Sequence, residues 1–142
     1  MPGVVPYVRQ GPVSYQVVST VLGGQLVQPD TGGAVKTALA NSVTVLGVAL
    51  HDAGVRTSQD GQTVANLAQN PDYLAVGYGL DVRVTYNTAA ALGQLLAADA
   101  TGQVKAYTAG TTTYDAIVGR CTEPLGVAGA GTVARARIGP NL

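Results

Sequence analysis

The chain has no tryptophan and no phenylalanine, and it holds one cysteine, one methionine and one histidine in 142 residues. Tyrosine supplies every aromatic ring, so the volume of any core must come from valine, alanine and leucine. Small side chains together with 19 glycines suit a tight barrel or sandwich, where strands approach closely. A single cysteine, Cys121, excludes an intrachain disulfide framework. It lies in an apolar, strand-like run and reads as a small buried hydrophobe. Charge is scarce at 11%, and eight basic residues balance eight acidic ones. That balance lacks the clustered basic surface that nucleic-acid binding requires. The 46% apolar content excludes general disorder. No run approaches the roughly 20 apolar residues of a membrane span. The N-terminus shows neither the basic segment nor the apolar segment of a signal peptide. A surface with so little charge is poorly protected against self-association, so partners are expected to cover much of it.

What the chain does have is an internal repeat. Gly24-Gln25-Leu26-Val27-Gln28-Pro29-Asp30-Thr31-Gly32-Gly33-Ala34-Val35-Lys36 returns as Gly93-Gln94-Leu95-Leu96-Ala97-Ala98-Asp99-Ala100-Thr101-Gly102-Gln103-Val104-Lys105, offset by 93 − 24 = 69 residues. The only two lysines, Lys36 and Lys105, fall on equivalent positions. Val45-Leu46-Gly47-Val48-Ala49 then matches Ile117-Val118-Gly119-Arg120-Cys121 at 119 − 47 = 72, with the extra residues placed near Thr111–Tyr114. Ala53-Gly54-Val55 matches Leu125-Gly126-Val127. Two alternating runs, Leu80–Tyr86 and Thr132–Ile138, are read as the closing strands of the two halves. Two copies are too few for a solenoid, so one duplicated domain is expected.

The expected organisation is an N-terminal arm over residues 1–12 and a single β domain over 13–142. Within it, repeat 1 covers about 24–86, with an insertion at about 56–79, and repeat 2 covers about 93–138. Pro2, Pro6 and Pro12 keep the arm extended, while Val4, Val5, Tyr7 and Val8 give it apolar side chains suited to lying on another polypeptide. Strands are expected at Val13–Val21, Gln25–Gln28, Ala34–Ala38 and Val43–Leu50, the last buried on both faces. The second half repeats the plan at Leu92–Ala97, Gln103–Tyr107, Ala116–Cys121 and Val133–Ile138. Pro29-Asp30-Thr31-Gly32-Gly33 carries the residue types of a tight turn. Thr63–Ala68 has the pattern of one or two helical turns before Pro71.

Candidate chemistry is sparse. His51 and Asp52 are sequence neighbours, and in a strand their side chains would face opposite ways, so they do not form a dyad. No serine sits in a Gly-x-Ser-x-Gly turn. One His, one Cys and one Glu cannot assemble a transition-metal site. Asp30 and Asp99 read as turn caps, and the glycines at 77, 79 and 126–131 read as backbone turns rather than a phosphate cradle. No catalytic, cofactor-binding or metal-binding residue is therefore expected, and the protein is expected not to be an enzyme. Arg83, Arg135 and Arg137 lie on the polar side of their strands, either as a solvated face or as a basic patch that docks on an acidic partner.

The Gly-x-Leu/Val strand, glycine turn, Val-Lys strand, buried Val-Leu-Gly run and terminal alternating strand resemble the head-decoration, or capsid cement, proteins of tailed bacteriophages. The residues that carry the likeness are Gly24–Lys36, Val45–Ala49, Gly93–Lys105, Ile117–Gly119 and Val133–Ile138. The resemblance implies an all-β fold, a compact β-barrel or β-tulip-like body, and no catalysis or cofactor. It also implies manufacture in the host cytoplasm and a place on the capsid exterior, bound to the major capsid protein and to other copies of itself. A homotrimer is the expected assembly, although an internal two-fold would suit a dimer or monomer. Other virion β-modules, in a tail tube or head fibre, are the alternative. A small β-barrel enzyme or ligand carrier is the reading from a different class.

Overall fold

In a computed structural model, residues 12–54 and 72–139 are described, and they build ten strands joined by turns. The strands are β1 (Val13–Val17), β2 (Leu26–Pro29), β3 (Val35–Thr37), β4 (Gly47–Ala49), β5 (Asp72–Gly77), β6 (Leu80–Tyr86), β7 (Leu95–Ala98), β8 (Val104–Ala106), β9 (Ile117–Cys121) and β10 (Thr132–Ile138). The fold is all-β and duplicated, as expected. Each copy closes its own five-stranded barrel, in the order β1-β3-β2-β4-β5 and then β6-β8-β7-β9-β10. One pair in each barrel is parallel, β1 with β3 through Val17 and Val35, and β6 with β8 through Tyr86 and Val104. All other ladders are antiparallel.

The register fixes the equivalences residue by residue. Val27 pairs with Gly47 where Leu96 pairs with Gly119, and Val13 pairs with Val76 where Val82 pairs with Ala136. The isolated bridge Val21–Ala53 recurs as Ala90–Val127, so Ala53 is the counterpart of Val127 and not, as the sequence match has it, of Leu125. Turn chemistry recurs as well. The carboxylates of Asp30 and Asp99 each accept the N–H of the next residue at 2.8 Å. Gly32 and Thr101 both take left-handed φ, 68° and 56°, so the second copy carries a β-branched residue where the first has glycine.

Three expectations change. Leu80–Tyr86 does not close the first half. It opens the second barrel as the counterpart of β1, and Thr132–Ile138 is its antiparallel partner along the whole ladder. The strand that closes the first barrel is Asp72–Gly77, within the stretch read as an insertion. Alternation reports that a strand has one buried face, not which ladder it joins, and that is why two partners looked like two equivalents. From β4 to β5 the offset between copies falls from 72 to 136 − 76 = 60, so the first copy holds 12 additional residues between Ala49 and Asp72. Residues 55–71, including the expected helical turn, lie outside the described residues, as does the arm with Val4, Val5, Tyr7 and Val8. The Val43–Leu50 run is buried throughout only at Gly47–Ala49; Val43 and Leu50 are exposed. Asn41 turns the chain at φ 59°, and the Ser42 N–H bonds back to Leu39 O, so this stretch enters the sheet late.

Side chains segregate by strand parity. Val17, Val21, Val27, Val35, Ala49, Leu74 and Val76 fill the first barrel. A second cluster fills the other barrel and also takes in Leu26, Ala38 and Val48, which leave the outer face of the first. The two barrels thus share a buried seam. The turn at Ala100–Gly102 seals it. Gly102 N–H donates to Ala38 O at 3.0 Å, and Gln25 Nε2 donates to Thr101 O at 3.1 Å. A Cβ on Gly102 would meet Gln25 Cβ and Leu26 O within 2.9 Å, so only glycine lets the turn lie this close.

Candidate functional site: a basic strand face on the second barrel

The alternation of β6 and β10 turns Val84, Tyr86, Ala134, Ala136 and Ile138 into the core and leaves Arg83, Arg135 and Arg137 outside. Arg83 stands directly across from Arg135 in the ladder, and Arg137 stands between Asp81 on one side and Arg120 of β9 on the other. The structure therefore brings all three expected arginines onto one face and adds Arg120. The four have their counterparts in the first barrel at Ser14, Ala75, Gly77 and Val48. Among the described residues, this basic face is present on one barrel and has no equivalent on the other.

Each arginine is held differently. Arg137 makes a two-point contact with Asp81, Nε to Oδ1 at 3.0 Å and Nη2 to Oδ2 at 3.3 Å. Both partners are open to solvent, so the pair orients the guanidinium more than it stabilises the fold. Arg135 reaches Thr122 O through Nε and Nη2 at 3.3 and 3.1 Å, and Glu123 accepts its backbone N–H. Arg120 Nη1 donates to Gly93 O at 2.9 Å. The Arg83 side chain has no hydrogen-bond partner among the described residues and faces the like charge of Arg135, a pairing that costs stability in an isolated sheet. Carboxylates or other oxygen acceptors from a partner would relieve it, and guanidinium groups suit them through forked geometry.

Beneath this face, the Tyr86 ring is fully buried and its hydroxyl donates to Arg135 O at 2.8 Å. Burial, followed by the nearby Cys121, pushes the phenol well above its ordinary range. At the barrel end, burial works against ionisation of Asp99. Hydrogen bonds from Asn87 and the Ala100 N–H, together with Lys105, outweigh it and hold the carboxyl below its usual range.

The other candidates fall elsewhere. His51 Nδ1 contacts Asp52 O at 2.9 Å, and its Nε2 accepts the Ala75 N–H at 3.1 Å, while the Asp52 carboxylate accepts the Gly23 N–H at 2.7 Å. Histidine and aspartate thus tie down separate backbone groups. Cys121 is buried in β9. Among the described residues no group of three His, Cys, Asp or Glu side chains converges. A cleft of about 120 Å³ beside Val43, Val45, Tyr78, Asp115 and Ile138 is below the usual size of a small-molecule site. Arg120 escaped sequence reasoning because it interrupts a buried apolar run. The signal was in the repeat, where it replaces Val48.

No protein-family model matches the chain, and no curated protein matches it. Among solved structures it is similar to the N base of the head fiber protein gp8.5 of bacteriophage phi29, with a TM-score of 0.58 and 17% identity over 89% of this chain and 92% of that one. At that identity the likeness is one of fold, and it spans both barrels.

Proposed function

We propose that the protein is a structural component of a phage virion that binds the outer surface of the head and stabilises the expanded shell. The observation that carries this reading is the shared two-barrel fold with a phage head-fiber base over nearly the full length of both chains. The basic face of Arg83, Arg120, Arg135 and Arg137 supplies a docking surface for acidic groups of the major capsid protein. The arm residues Val4, Val5, Tyr7 and Val8 add apolar contacts on the lattice. Many symmetric contacts sum as avidity, with a trimer at three-fold positions engaging three equivalent sites at once. The role is mechanical and needs no catalysis, cofactor or metal.

Purified protein mixed with empty expanded heads should co-sediment with them. Reversal of Arg83, Arg135 and Arg137 to glutamate should abolish co-sedimentation while the protein still folds. Retained binding by that variant would remove the basic face from the reading, and failure of the parent protein to bind heads would remove the reading itself. A second reading, the base of a head fibre, is favoured by the name of the structural neighbour. Cryo-EM of decorated particles separates the two: a decoration protein covers the lattice in many copies, whereas a fibre base lies under density that projects away from the head.

A further inference from the structure

The seam between the barrels joins a turn of the later barrel to the outer face of the earlier one. Both halves of that contact exist a second time, unused among the described residues. The turn equivalent to Ala100–Gly102 is Thr31–Gly33, which is exposed, and a Cβ on Gly32 or Gly33 would meet nothing within 4 Å. The face equivalent to Leu26, Ala38 and Val48 is made by Leu95, Tyr107 and Arg120. The first three are at most 1% exposed, and the second three are only half-buried. Gly24, whose Cβ would lie 3.1 Å from Arg83 O, has as its counterpart Gly93, with nothing within 4 Å.

The unused face is also pre-set. Gln25 Oε1 accepts the Leu22 N–H at 2.9 Å, which aims its Nε2 at Thr101 O. Gln94 Oε1 accepts the Ala91 N–H at 3.0 Å in the same way, and its Nε2 has no partner among the described residues. Nor do the Gly33 N–H and the Tyr107 carbonyl, the counterparts of the Gly102–Ala38 hydrogen bond. Beside Gln94 the surface continues as an open groove past Ala91, Leu92 and Leu125, with Leu92 60% and Leu125 99% exposed. The turn follows Asp30 and the face carries Arg120, so the two are of opposite charge.

We propose that the occupant of this face is a second copy of the chain, whose Thr31–Gly33 turn docks against Gln94, Leu95 and Tyr107 as the Ala100–Gly102 turn docks within one copy. The contact is heterologous, because a first barrel meets a second barrel. It therefore propagates head to tail, closing into a ring if the rotation per copy allows and otherwise forming a chain. The inference rests on the duplicated fold alone and stands or falls independently of a role on phage heads.

Cysteine trapping tests it. Within one copy, a Cβ on Gly102 would lie 2.9 Å from the Thr37 side chain, so the corresponding pair between copies is Gly33 and Ala106. Gly33→Cys and Ala106→Cys proteins, made separately and mixed under mild oxidation, should give a covalent dimer at least about tenfold above a mixture of Gly33→Cys with Val133→Cys. Should Gly33→Cys fail to fold, Thr31→Cys serves as the donor. In sedimentation velocity the unmodified protein should show concentration-dependent association, and Tyr107→Glu should weaken it at least about tenfold. A monomer at every concentration, cross-linking no greater than in the control mixture, or faster Gly33→Cys self-linkage would each overturn the proposal.

Discussion

Tyr86 fills, in the second barrel, the position that Val17 holds in the first, and it supplies a fully buried ring to a core otherwise built from small aliphatics. Its hydroxyl is satisfied by Arg135 O, so Tyr86→Phe removes one hydrogen bond without changing volume. The expected loss is about 1 kcal/mol, while Tyr86→Ala, which also leaves a cavity, should cost about 3–5 kcal/mol. Urea denaturation of the two variants measures both, and equal losses would show that the hydrogen bond, not packing, dominates. Asp99 gives a prediction with a sign. Its folded-state pKa is depressed, so its contribution is present above the ordinary carboxylate range and is lost as pH falls through the folded value. The stability gap between the parent protein and Asp99→Ala should therefore be largest near neutrality and shrink by about pH 3. A gap that stays constant down to that pH would mean that the carboxylate charge contributes nothing.

At the scale of strands, the closest approaches are made by glycine. Gly47 and Gly119 are equivalent, and a Cβ on either would collide with a carbonyl oxygen of the neighbouring strand, that of Gly77 in the first barrel and of Arg137 in the second. Gly119 has an ordinary φ, so Gly119→Ala tests the steric contact without added backbone strain. The β9–β10 ladder must open to admit the methyl group, at an expected cost of about 1–3 kcal/mol. Because β10 carries Arg135 and Arg137, the same variant should also disturb the basic face; a thermal melt unchanged from the parent would refute the contact. Most strands were legible in the sequence, since a barrel wall with one wet face writes itself as alternation and the turns carry Asp and Gly at fixed places. The ladder partners were not legible. Leu80–Tyr86 and Thr132–Ile138 look alike because they pair, and Tyr73-Leu74-Ala75-Val76 was hidden in the longer connection of the first copy. The arginines of β6 and β10 could be read from parity, whereas the only sequence signal for Arg120 was its place opposite Val48 in the repeat, and the register sets it between Leu95 and Arg137.

For the whole molecule, the decisive feature is that the buried clusters do not divide where the barrels do. Leu26, Ala38 and Val48 point out of the first barrel and are counted in the core of the second. A lone first barrel would expose all three, and a lone second barrel would lose the cover that they and Val45 provide. The seam also holds three backbone or side-chain hydrogen bonds, from Gly102 N to Ala38 O, Asn41 N to Ala98 O and Gln25 Nε2 to Thr101 O. Opening it would strand apolar surface and polar groups together, which couples the two barrels more tightly than a flexible linker would. The chain should accordingly unfold in one cooperative transition, with calorimetric and van't Hoff enthalpies in agreement. Weakening the seam should uncouple it. Ala38→Asp buries an unpaired carboxylate against the Gly102 turn and should split the transition in two or lower both midpoints, whereas Tyr107→Asp, at the equivalent but half-exposed position, should leave a single transition. Two transitions in the parent protein, or the same response to both substitutions, would show that the barrels are independent bodies and that their shared cluster carries little of the stability.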